Sequence, residues 1–136
     1  MRQRTLFSLK FIIVVTIVIS LNLAGCASNM LSATFDESAT VVRNWGEACI
    51  KGNFDKAETK VSIENYGTQE TCQYLASTTD NLEIIAIEDR GSLINSGELI
   101  MYVENMSDGG YIKIEVRLAN SERGPVIYNV YCSSCR

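Results

Sequence analysis

"YIKIEVRL", residues 111–118, alternates without a break: Ile112, Ile114, Val116 and Leu118 fall on one side of an extended chain, Tyr111, Lys113, Glu115 and Arg117 on the other. Successive strand side chains point to opposite faces, so one face of this stretch is core and the other is wet. The flanking sequence keeps the theme. "LEIIAIE" at 82–88 and "ELIMYVE" at 98–104 are rich in β-formers, and "PVIYNVYC" at 125–132 is apolar on both faces, which suits a central or covered strand. Asp108-Gly109 predicts a hairpin turn, and Ser121 to Gly124 predicts the next. Pro125 stands at the first position of the last strand, where its missing N–H costs least. Four strands joined by short turns predict an antiparallel meander.

Before Thr79 the apolar period is nearer four. From Phe35 it runs through Ala39, Val42, Trp45 and Cys49, one face of a helix. Thr34 with Glu37 three residues on forms the capping-box pattern, and Gly52 is the stop. A shorter helix is predicted after Asn53, with Phe54, Ala57 and Val61 on one face. A third is predicted over 65–76, presenting Tyr66, Cys72, Leu75 and Ala76, although Gly67 weakens it. Helices followed by strands predict one α+β domain over residues 34–136, its N-terminal helices packed on a four-stranded antiparallel meander.

This order of elements over residues 35–132 resembles the nuclear transport factor 2-like and cystatin-like folds. "GNFDKA" at 52–57 is similar to the joint between the first two helices of such domains. The resemblance implies a roll enclosing a cone between helices and sheet. Its relatives include isomerases, ligand binders and secretion scaffolds, so it carries no functional residue across.

The first residues hold Arg2, Arg4 and Lys10, after which Phe11 to Leu21 is apolar except for Thr16 and Ser20. That is a charged segment followed by an apolar one of secretory length, short for a membrane span of roughly 20 apolar residues. Leu23-Ala24-Gly25-Cys26 then resembles the lipobox of bacterial lipoproteins. The resemblance implies a signal peptide over residues 1–25, diacylglycerol on the Cys26 thiol, and a lipidated tether over 26–33. Ala27 lacks the Asp that in this family favours inner-membrane retention, which implies a periplasm-facing anchor in the outer membrane wherever there are two membranes. Two or more acyl chains hold a protein stably where one is marginal.

All 16 acidic residues follow residue 26, so loss of the leader leaves nine basic residues and a net charge of −7. Nucleic-acid binding needs clustered Lys and Arg, and these nine are scattered. Four further cysteines, Cys49, Cys72, Cys132 and Cys135, predict two disulfides in an oxidising compartment. Three pairings are open, of which Cys49 with Cys72 and Cys132 with Cys135 is preferred. The first would close a loop of about 24 residues and contribute about 3 kcal/mol by restricting the unfolded chain. Cys132-Ser133-Ser134-Cys135 has redox-dithiol spacing, but it follows a strand and so has no helix N-terminus to activate a thiolate. A four-cysteine zinc site normally has two paired motifs, and Cys49 and Cys72 are not adjacent.

The chain contains no histidine, which excludes Ser-His-Asp and Cys-His catalysis. Tyr66, Tyr74, Tyr102, Tyr128 and Tyr131 read better as strand and surface residues than as acids around an Asp base. The sequence therefore predicts no catalytic site, cofactor or metal. It points to a non-enzymatic interaction or scaffold module in an envelope assembly, such as a secretion, pilus, conjugation or exclusion system. The alternative is a lipoprotein holding a small apolar ligand in the cone. A partner site is expected at Tyr102, Tyr128 and Tyr131, with Lys113, Glu115 and Arg117 as plain solvated surface elsewhere.

Overall fold

The structure is a computed structural model in which residues 33–78, 81–90 and 97–135 are described. The leader and Cys26 lie outside these residues, and of the tether only Ala33 is described, buried at the edge of the core.

Helix α1 spans Phe35–Ile50. Both halves of its capping box form: the Glu37 N–H donates to Thr34 Oγ1 and the Thr34 N–H to Glu37 Oε2. Val42, Trp45, Ala48 and Cys49 make its buried face. Helix α2, Phe54–Glu58, is one short turn capped by the Asn53 side chain. Strand β1 follows, Val61–Tyr66. Helix α3, Thr68–Ser77, then turns Thr71, Cys72 and Leu75 inward. The remaining strands are β2 (Leu82–Asp89), β3 (Glu98–Asn105), β4 (Tyr111–Ser121) and β5 (Gly124–Cys132).

The four later strands form the expected antiparallel meander, but they are not the whole sheet. Five strands are ordered β1-β5-β4-β3-β2, and β1 joins β5 in parallel, so the sheet is mixed. The expectation of four antiparallel strands after an all-helical first half is thus corrected. Val61 leaves the short helix, and Asn65 and Tyr66 leave the third one. The reason is local. Val61 and Ile63 are β-branched, which crowds a helix and suits a strand, while Gly67 at φ +71° closes the strand ahead of α3.

The helices pack on one sheet face. Leu99, Met101 and Val103 of β3, Ile114, Val116 and Leu118 of β4, and Ile127 and Val130 of β5 form the core with Trp45, Cys49 and Leu75. Approach is close: a Cβ on Gly46 would lie 2.7 Å from Met101 Sδ and 2.8 Å from Ile84 Cδ1. Both preferred disulfides form. Cys49–Cys72 ties α1 to α3, and Cys132–Cys135 clasps the end of β5.

Candidate functional site

The opposite sheet face carries no helix among the described residues, and the register places its side chains. On β4, Tyr111, Lys113, Glu115 and Arg117 face Glu104, Tyr102, Ile100 and Glu98 of β3. Across the other edge of β4, Glu115 faces Tyr131 and Arg117 faces Asn129 of β5. Charges and rings are interleaved on this surface. Arg117 Nε lies 2.7 Å from Glu98 Oε1, and Glu115 holds both Arg90, at 2.5 Å, and Lys113, at 3.6 Å. Tyr102 and Tyr111 meet edge to face with ring centroids 6.1 Å apart, a favoured aromatic geometry. Tyr111 is 68% exposed and Tyr131 58%.

Of the expected contact residues, Tyr102 and Tyr131 therefore share one surface, on the two strands that flank β4. Tyr128 does not join their row; it lies where the β4–β5 register shifts, between Ile127 and Asn129, and is half-buried. The expected separation between a charged face and an aromatic contact region is corrected: Lys113 faces Tyr102 and Glu115 faces Tyr131, because cross-strand partners always point to the same side of a sheet. Tyr111 belongs to this surface and was absent from the expected set. Its place in the alternating set of 111–118 was the signal that could have found it.

Burial raises the Tyr102 phenol above its ordinary value of 10.0, followed by the nearby Glu88 carboxylate and by Tyr111. Chemically this face combines aromatic rings with paired charges. It offers flat aromatic area and a ladder of matched charges.

The space between helices and sheet is occupied by Trp45, Met101, Val103, Ile114 and their neighbours. A concavity of about 310 Å³ opens instead on the helical side, between α1, α2, β1 and α3. Buried Trp45, Ala57 and Cys72 line it together with exposed Phe54, while Glu58, Asn65, Gln69 and Gln73 supply polar groups. Among the described residues, no three His, Cys, Asp or Glu side chains gather as metal ligands, and no helix is long and apolar enough to cross a membrane. Cys132 ends β5, and no helix N-terminus follows it among the described residues.

Comparison with protein-family models, with curated proteins and with solved structures finds no match to this chain.

Proposed function

We propose that the chain is a lipid-anchored envelope lipoprotein whose α+β domain is a non-enzymatic interaction module, presenting its open sheet face to a protein partner. The observation that carries the reading is the row Tyr102, Tyr111 and Tyr131 set among Lys113, Glu115 and Arg117 on a face that no helix covers among the described residues. Tyr is among the residues that dominate binding energy at interfaces, and flanking charges select and orient the partner. The lipobox at 23–26 supports the anchor, and Ala27 supports a periplasm-facing site in the outer membrane wherever there are two membranes. Two disulfides accord with an oxidising compartment. An assembly of the secretion, pilus, conjugation or exclusion kind is the proposed setting.

Cross-linking and affinity capture from intact envelopes tests this reading. One defined protein should be recovered with the wild type and lost with Tyr111→Ala/Tyr131→Ala. The anchor has its own test: Cys26→Ser should accumulate as precursor and lose palmitate labelling, and continued labelling rejects lipidation at that thiol.

The helical-side concavity favours a second reading, a small ligand held against the exposed Phe54 ring with amides from Gln69 and Gln73 at the rim. Pockets that hold drug-sized ligands start near 300 Å³. Native mass spectrometry of protein released gently from the envelope decides: a bound small molecule that is absent from Gln69→Leu/Gln73→Leu supports this reading over the first.

A further inference from the structure

We infer that β1 is a self-association edge through which two copies of the chain pair antiparallel about a two-fold axis at Ser62. Among the described residues β1 is the outermost strand of the sheet, with β5 on its inner side only. Val61 pairs with Ile127 and Tyr66 with Asn129, so five steps along β1 match two along β5 and the strand bows away between them. Ile63, on that bow, is 101% exposed. Edge strands are normally kept apart by inward charges, proline or a covering element. Here the two charges of the segment are opposite, and there is no proline.

Lys60-Val61-Ser62-Ile63-Glu64 is complementary to itself when reversed. Antiparallel pairing about Ser62 sets Lys60 against the second copy's Glu64 twice, Val61 against Ile63 twice, and the two serines against each other. Opposite charges and β-branched pairs directly across a ladder are both favourable, and the contact is isologous, as a two-fold dimer requires. Neighbouring registers lose this match. Centring on Val61 opposes Glu64 to Glu58, and centring on Ile63 opposes Lys60 to Tyr66 and Ser62 to Glu64. The backbone agrees with the chosen register. Ile127 N–H donates to the Lys60 carbonyl at 2.9 Å, which turns that carbonyl toward β5. Strand groups alternate between edges, so Val61 supplies the open side, and the proposed pairing requires Ile63, beyond the Ser62 carbonyl that accepts from Asn65 Nδ2, to do the same. Pairing about Ser62 sets those two residues opposite each other as hydrogen-bonded pairs.

The test is sedimentation of the full purified chain in detergent, with charge-reversed variants. Lys60→Glu opposes glutamates at both ends and Glu64→Lys opposes lysines; each should weaken dimerisation about tenfold or more. The combined Lys60→Glu/Glu64→Lys chain restores the match and should dimerise as the wild type does. Under mild oxidation, Ser62→Cys should give a dimer whose linking peptide joins Cys at 62 to itself, whereas Asn65→Cys should not. A wild type that sediments as a monomer throughout, a dimer unmoved by either reversal, or a Ser62→Cys chain that yields no peptide linked through position 62 of both copies overturns the proposal.

Discussion

Gly67 shows how much one position can decide. It sits at φ +71°, a conformation that side chains rarely adopt. A Cβ there would lie 2.1 Å from the Val130 carbonyl oxygen, a contact with backbone that no rotamer change relieves. Gly67→Ala combines the left-handed penalty with overpacking and is expected to cost about 3 kcal/mol. Chemical denaturation measures this, and a loss under about 1 kcal/mol would mean the turn is free to move. Tyr102 makes a second prediction, in pH. Its folded-state value is raised by burial first and by Glu88 next. The folded chain therefore holds the phenolic proton more tightly than the unfolded one. The resulting stability is fully present below the ordinary value of 10.0 and is lost as pH rises through the folded value. Unfolding midpoints on either side of pH 10 should accordingly fall more steeply in the wild type than in Tyr102→Phe. Equal slopes would remove Tyr102 as the titrating group.

The strands β2 to β5 were legible because their alternation is local: each carries enough β-formers in period two to bury one face, and each is bounded by turn residues. Helix α1 was legible for the same kind of reason, since Thr34 and Glu37 announce its start three residues apart. β1 was not, because its six residues satisfy two periods at once. Val61 continues the spacing of Phe54 and Ala57, and only Ile63 breaks it; the strand exists because β5 lies beside it, a long-range fact that no local pattern encodes. The outer-face register was hidden in the same way, so Tyr102 and Lys113 read as separate surfaces until pairing set them side by side. The disulfide between α1 and α3 now acquires an element to hold. Its loop encloses α2 and β1, an edge strand with only two pairing points on β5. Cys49→Ala/Cys72→Ala should cost about 3 kcal/mol, and β1 amides should lose hydrogen-exchange protection before those of β3 and β4. Protection lost uniformly across the sheet would show that the bond stabilises the domain as a whole and not this strand in particular.

A two-layer α+β domain has one sheet face sealed by helices and one left to water, and what stands on the second face decides whether it is solvent surface or docking surface. Charge alone would indicate solvent: alternating Lys113, Glu115 and Arg117 keep a sheet soluble. Here Tyr111 and Tyr131 stand among them at 68% and 58% exposure, and the matched pairs Arg117–Glu98 and Arg90–Glu115 hold the charges in place at the rim of the rings. Because both tyrosines are exposed, removing them should hardly touch stability; because aromatic anchors dominate interface energy, it should abolish partner capture. Lys113→Ser/Arg117→Ser should act differently. Each exposed substitution should stay within about 0.5 kcal/mol in stability, while partner binding weakens mainly through slower association and a shallower dependence on salt. Thermal unfolding together with association kinetics at two ionic strengths separates these effects. If the charge pair and the tyrosine pair both leave capture intact in folded protein, the open face is ordinary surface, and the contact must be sought at the β1 edge or in the pocket beside Trp45.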